Sequence, residues 1–247
     1  MENKTVLITG ASDGLGRQVA YELAARGYDL ALAARRIDLL EAIKSDIESR
    51  HGRRVFAYGL DVRDTAQVQA IVERAAVDLG QLDVVIANAG VGESGRIGQS
   101  DFAGTRKLIE INVVGAMATI DAAVRLFRKQ NCGHVVAISS VAAWRGLPGN
   151  GAYSASKAAV STYMDALHAE VARKNIRTTV IYPGFIDTAI NAGMKQRPFL
   201  LSLEEGGRRI ADAIEAGRTR AVIPGYPWRL LFPLLKALPA AALGRAF

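Results

Sequence analysis

Tyr153 and Lys157 stand four residues apart in the run Tyr153-Ser154-Ala155-Ser156-Lys157. In a helix that spacing puts a phenol and an ammonium on the same face, one turn apart. A free phenol, with a pKa of about 10, is a slow proton shuttle near neutrality, and an adjacent cation favours the phenolate. The pair is therefore a candidate acid/base unit. Thirteen residues before Tyr153, Ser140 closes the run His134-Val-Val-Ala-Ile-Ser-Ser140, which reads as a buried strand delivering hydroxyls at its C-terminal end. A hydroxyl placed there could polarise a substrate carbonyl. Tyr and Lys also fall four apart by chance in many helices, so the rest of the chain has to decide.

The elements needed to hold such a unit alternate along the sequence. Short apolar runs at 4–9, 28–34, 55–58, 83–87, 134–139, 176–182 and 221–223 read as strands. Helical patterns fall at 14–26, 38–50, 65–79, 152–174 and 203–216, and one long helix is expected around 102–129. Continuously apolar short strands are those buried on both faces, and strand–helix alternation implies a parallel sheet covered by helices on both sides. The expected fold class is α/β, a doubly wound parallel sheet in a single domain. Its body is placed at 1–225, with an apolar C-terminal tail, 226–247, belonging to the same domain.

The first strand runs into Thr9-Gly10-Ala11-Ser12-Asp13-Gly14-Leu15-Gly16 and then directly into a helix. Glycines in this context permit a tight turn and a close approach of the backbone to a pyrophosphate, which the helix N-terminus stabilises. Taken with Asp61-Val62, Asn88-Ala89-Gly90, Asn112, Ser140, Tyr153 with Lys157, and Pro183-Gly184 with Thr188, in that order, the chain resembles the short-chain dehydrogenase/reductase family in its short, Rossmann-like, single-domain form. The resemblance covers residues from about 5 to 190.

What it implies is specific. Tyr153 would exchange the proton with a carbonyl or alcohol oxygen, Ser140 would hydrogen-bond that oxygen, and Lys157 would lower the tyrosine pKa and hold the nicotinamide ribose. Asn112 would support a water-linked proton path to Lys157. Gly10, Ser12, Gly14, Leu15 and Gly16 would cradle the pyrophosphate, Asp61 and Val62 would flank adenine, and Asn88, Ala89 and Gly90 would line the cofactor. Pro183, Gly184, Ile186 and Thr188 would border the nicotinamide. Ser139 competes with Ser140, but neighbouring strand residues face opposite ways and the family spacing selects Ser140. Homodimers or homotetramers are the family's expectation.

Cofactor choice rests on the end of the second strand, where a carboxylate would bind the ribose 2′-hydroxyl of NAD. The sequence there is Ala33-Ala34-Arg35-Arg36, with no carboxylate before Asp38. Guanidinium groups make charge-assisted contacts to a 2′-phosphate, so NADP(H) is expected in preference to NAD(H). The segment 185–202 is expected to cover a small-molecule carbonyl or alcohol substrate. With Phe185, Ile190, Met194, Phe199 and Leu200, joined by Trp144 and Leu147, its pocket is expected to be apolar, Lys195 and Arg197 being the nearby cations. The leading expectation is carbonyl–alcohol interconversion by hydride transfer; the alternative is a dinucleotide-binding regulator or scaffold without turnover.

Bulk properties narrow the field. The chain has 247 residues, half of them hydrophobic, which is enough for one α/β domain. Lys and Arg outnumber Asp and Glu by 31 to 24, but as scattered pairs rather than a stripe, so no nucleic-acid partner is expected. His51, His134 and His168 share no ligand spacing with the single cysteine, Cys132, so no metal is expected. No signal peptide is read at the start, and a cytoplasmic location is expected. The segment 226–247 is unusually apolar, yet Pro227, Pro233 and Pro239 with Arg229, Lys236 and Arg245 argue against a membrane-spanning helix. Subunit packing, substrate cover or peripheral membrane contact remain as its readings.

Overall fold

The computed structural model of the chain describes residues 4–92, 95–99, 101–194 and 196–237, without the side chains at 232–236. Lys195 and the tail beyond 237, both singled out above, lie outside the described residues. The strands are β1 (Thr5–Thr9), β2 (Asp29–Ala34), β3 (Val55–Gly59), β4 (Val84–Ala87), β5 (Gly133–Ile138), β6 (Ile176–Pro183) and β7 (Arg220–Ile223). They form one parallel sheet in the order β3-β2-β1-β4-β5-β6-β7. All of β1, β2 and β4 is buried, as continuous apolar runs require when both faces are covered.

Helices α1 (Gly14–Ala25), α2 (Ile37–His51) and α7 (Leu203–Glu215) cover one face, around a core that includes Val19, Leu23, Leu40, Ile47 and Ile210. Helices α3 (Thr65–Leu79), α5 (Ala116–Gln130) and α6 (Gly151–Val171) cover the other, around Val68, Ile120, Phe127 and Met164. Each fully buried large side chain contributes about 1.5–3 kcal/mol. Helix starts are capped as their sequences suggest: Asp64 accepts from the Gln67 amide at 3.0 Å and Ser202 from the Glu205 amide at 3.2 Å. The fold class is the doubly wound parallel sheet read from the sequence.

Two elements differ from the reading. The expected helix around 102–129 is α4 (Phe102–Ile109), a π-helical segment Glu110–Gly115, and then α5. Its extra residue per turn turns Asn112 inward, where it is 1 % exposed. After β7 a further helix, α8 (Trp228–Ala237), forms within the tail. It packs against the 3₁₀ turn Val141–Trp144 that follows Ser140. Because β1 and β4 are neighbours while β2 lies on the other side of β1, the chain reverses its winding between β1 and β4. A crevice opens there, outside the C-terminal strand ends.

Candidate active site

The glycine loop joins β1 to α1 at that crevice. Gly10 has φ +69°, a left-handed conformation, and a Cβ on it would lie 2.7 Å from the Ala89 Cα. A Cβ on Gly16 would fall 2.3 Å from the Gly10 carbonyl oxygen and 2.4 Å from Asn88 Nδ2. These absent side chains leave the loop backbone open to a ligand. Asn88 locks the cradle from the β4 side, donating through Nδ2 to the carbonyls of Thr9 (2.9 Å) and Gly10 (3.2 Å). The Thr9 hydroxyl in turn accepts from the Asn88 and Ala89 amides at 3.1 and 3.2 Å. Asp13 caps α1, accepting from the Gly14 amide at 2.7 Å.

Arg36 reaches back to this loop. Its Nε and Nη2 donate to the Ser12 hydroxyl at 3.3 and 3.1 Å, and Nη2 lies 3.4 Å from the Asp13 carboxylate. The Gly14 amide, followed by Arg36, holds the Asp13 carboxyl below its ordinary range, against the opposing effect of burial. Arg35 is exposed beside it and forms no ion pair among the described residues. Asp61 is held by Arg63, whose Nε lies 3.0 and 3.1 Å from its two oxygens. That pairing pulls the Asp61 carboxyl down, with a smaller contribution from Arg35.

At the other end, the C-terminus of β5 hands over the two serines. Ser140 starts the 3₁₀ turn, accepting from the Ala142 amide at 3.1 Å and donating to the Pro183 carbonyl at 3.4 Å. It is also hydrogen-bonded to the Tyr153 phenol. Ser139 is committed elsewhere, donating to the Lys157 carbonyl at 3.0 Å and paired with Ser161 at 2.8 Å. On α6, Lys157 lies with its Nζ 5.8 Å from the centre of the Tyr153 ring, and it donates to the Ile138 carbonyl at 2.9 Å. Burial lowers the Lys157 pKa from 10.5 to about 8. Burial also raises the Tyr153 phenol above its ordinary value, outweighing the lowering by Ser140. Lys157 is not among the causes of that shift, which desolvation leads.

Ser140, Tyr153, Lys157, the glycine loop, Arg35, Arg36, Asp61, Val62, the stretch Asn88-Ala89-Gly90, Pro183, Gly184, Ile186 and Thr188 all line one cleft of about 400 Å3. Asn112 does not line it. Its Oδ1 accepts from the Val91 amide (2.8 Å), and its Nδ2 donates to the Val91 carbonyl (2.9 Å) and to Ser156 (3.2 Å). It clamps the chain after β4. A Cβ on Gly90 would lie 3.3 Å from Asn112 Oδ1 and 3.5 Å from Lys157 Nζ, so these two polar groups flank the same glycine.

The substrate side departs further from expectation. Of the apolar side chains assigned there, Ile190 lines the cleft, against Gly92 of the opposite wall. Phe185 and Phe199 pack on Trp228, with ring centres 6.1 and 5.7 Å apart, and Trp144 packs on Tyr182 at 5.7 Å. These rings are not among the side chains that line the cleft, and Trp228 itself, on the unforeseen α8, was not among the expected residues. Val91, Ile111, Ala189 and Asn191 also line the cleft without having been singled out. For Val91 the adjacency to Asn88-Ala89-Gly90 was an available signal.

The family model for short chain dehydrogenases matches residues 4–198. The chain belongs to that family. This short-chain dehydrogenase is 38% identical over 236 residues to an uncharacterised oxidoreductase of Mycobacterium tuberculosis, covering 95% of this chain and 93% of the other. An uncharacterised oxidoreductase of Myxococcus xanthus is 36% identical over 242 residues, covering 97% and 94%. Among solved structures, the alcohol dehydrogenase of the archaeon Thermococcus sibiricus, complexed with 5-hydroxy-NADP, superposes with a TM-score of 0.80. It is 28% identical, over 89% of this chain and 94% of that one. The short-chain dehydrogenase is an NAD(P)-dependent oxidoreductase acting on CH–OH and C=O groups. Helix α8 lies beyond the span that the family model covers.

Proposed function

We propose that the enzyme interconverts an apolar carbonyl compound and its alcohol, using NADP(H) in preference to NAD(H), with Tyr153 as the proton carrier. The observation that carries the reading is the Ser140–Tyr153 hydrogen bond with Lys157 beside the ring, on the wall of a cleft whose far end holds Arg35 and Arg36. A nicotinamide dinucleotide supplies or accepts the hydride when bound. Gly10, Gly14 and Gly16 with the start of α1 suit its pyrophosphate, since a side chain on Gly10 or Gly16 would strike the opposite backbone.

The remaining work falls to the protein. Ser140 hydrogen-bonds the substrate oxygen and holds it against the phenol. Tyr153, a phenol that is protonated at neutral pH even without a shift, gives its proton to that oxygen during reduction. Lys157, charged below about pH 8, then stabilises the phenolate left behind. Asn112 fixes Val91 and Gly90 beside Lys157 and keeps that part of the wall in register.

Arg36, steadied by Ser12 and Asp13, and the exposed Arg35 support the phosphorylated cofactor, because each guanidinium can add charge-assisted hydrogen bonds to a 2′-phosphate. The 5-hydroxy-NADP in the Thermococcus sibiricus alcohol dehydrogenase points the same way. Ile190, Val91 and Ile111 support an apolar substrate. Residues 1–225 are proposed as one domain with the tail as part of it, which the packing of α8 on the turn after Ser140 supports. A homodimer or homotetramer in the cytoplasm is proposed on family grounds. Among the described residues no helix is long and apolar enough to cross a membrane.

A screen of NADPH oxidation against apolar ketones, aldehydes and keto-thioesters tests the proposal. Turnover with some of these, and a lower Kd for NADPH than for NADH, is expected. Equal or tighter binding of NADH would remove the cofactor assignment.

A further inference from the structure

Trp228 opens α8, beyond the span that the family model covers, yet it folds back over the end of β6. It is 7 % exposed, and its indole Nε1 is buried with no hydrogen-bond partner among the described residues, so packing rather than hydrogen bonding holds the ring in place. A Cβ on Gly184 would lie 2.9 Å from Trp228 Cε2 and 3.1 Å from Cδ1, and closer still to Nε1. A side chain there would strike the indole. The peptide that joins Pro183 to Gly184 is thus held at three points. Its N–H donates to the Ile223 carbonyl at 2.8 Å, its carbonyl accepts from Ser140 at 3.4 Å, and the indole covers its glycine. A hydroxyl bond of 3.4 Å is long, so this carbonyl holds the Ser140 hydrogen loosely and a substrate oxygen at ordinary distance can take it.

The same ring ties the segment 185–201 at its neck. Phe185 and Phe199 both pack on it, Phe199 edge-on at 89°. Phe199 has φ +58°, a conformation that a bulky residue keeps only where its surroundings enforce it. The Leu201 amide donates to the Phe185 carbonyl and the Asp187 amide to the Leu201 carbonyl, both at 3.0 Å, and the loop so closed carries Ile190 into the cleft. We propose that Trp228 is a positioning residue for the reaction: packed on the Pro183–Gly184 peptide, it keeps that carbonyl where the Ser140 hydroxyl stays aimed at Tyr153 and at the substrate oxygen. The inference rests on the carbonyl–alcohol reading above. Helix α8 adds a second restraint on the same serine, since it packs against the turn Val141–Trp144. A ring that only filled the core would stabilise the fold without bearing on the rate.

Steady-state reduction by NADPH, with the ketone or aldehyde of the screen that wild-type protein turns over fastest, tests this. Trp228→Ala should lower kcat by about tenfold or more, the scale of a misplaced reacting group. Its Kd for NADPH, read by calorimetry, should change less than about twofold. Trp228→Phe, which keeps a ring over Gly184, should recover most of the lost kcat. Gly184→Ala should lower kcat as well, because its methyl group drives the peptide and the indole apart. Adding Trp228→Ala frees that space, so the double variant should lose less than the product of the two single losses. Wild-type kcat in a Trp228→Ala protein that circular dichroism shows to be folded, or single losses that simply multiply, overturns the inference and leaves the carbonyl–alcohol reading standing. Should Trp228→Ala not fold, Trp228→Leu carries the comparison with the same expected and overturning results. Wild-type protein that turns over no carbonyl removes that reading and this inference together.

Discussion

The two ends of the cleft are governed by different physics. At the catalytic end, Lys157 is buried and Tyr153 half-buried, and desolvation is the leading cause of both displaced pKa values. At the other end, Arg36 and Asp13 have side chains 53 % and 55 % exposed, so water and salt screen what they do. The first region holds groups in protonation states they would not keep in water. The second offers charge without committing it. Substitutions should therefore be severe and insensitive to salt at one end, modest and salt-dependent at the other.

The largest effect should come from Tyr153→Phe, which keeps the ring packed and removes the proton. Turnover should fall by about 10³-fold, within the range for a lost general acid, while NADPH affinity changes less than about twofold. Retained turnover would refute the assigned proton carrier. Intact binding with no turnover in wild type would favour the regulator reading instead.

Burial as the governing term can be checked away from the cleft at His134, which is 1 % exposed on β5 and paired with Thr179 at 2.7 Å. Burial lowers its pKa from 6.5 to about 4. The unfolded chain then takes up the proton first as pH falls, so stability is lost progressively from pH 6.5 down toward 4. The loss amounts to about 3 kcal/mol. His134→Gln should remove this slope in urea titrations at a series of pH values. Parallel curves for variant and wild type would contradict it.

Lys157 carries the same physics into catalysis. Its ammonium is present below about pH 8 and is lost above it. The kcat/KM for reduction should be level up to about pH 8 and then fall by about tenfold per pH unit, as expected for one essential protonated group. A profile level to pH 10 would show that the phenolate is stabilised without the lysine.

What was legible in the sequence follows from range. The Tyr153–Lys157 pair depends on one helical turn, and the Ser140 hydroxyl on a strand end. Both are local regularities, and so are Gly10 and Gly16 at a strand–helix junction. The π-helical segment at Glu110–Gly115 left no such mark, because its sequence is as apolar and helical as its flanks. Phe185 and Phe199 were assigned to the substrate side from proximity in sequence, yet they pack on Trp228, a partner fixed only when α8 folds back. Asn191 was passed over for the same reason. Its burial and its unpaired oxygen arise from a non-repeating loop that no periodicity describes.

The smallest effect should be at the exposed end. Arg36 already donates to Ser12 and faces Asp13, so its guanidinium is positioned but partly neutralised. Arg35 forms no ion pair among the described residues. Arg35→Ala should therefore cost NADPH affinity through charge alone, and Arg36→Ala through charge and position. Either should narrow the NADPH-over-NADH gap by about tenfold or less, one charge-assisted hydrogen bond. Because both arginines face water, raising the ionic strength from about 0.05 M to about 0.5 M should narrow the wild-type gap in the same direction. The reductive kcat at saturating NADPH should not move. A gap that survives both salt and substitution would mean that the 2′-phosphate is read by a shielded group, and the contrast between the two ends would fail.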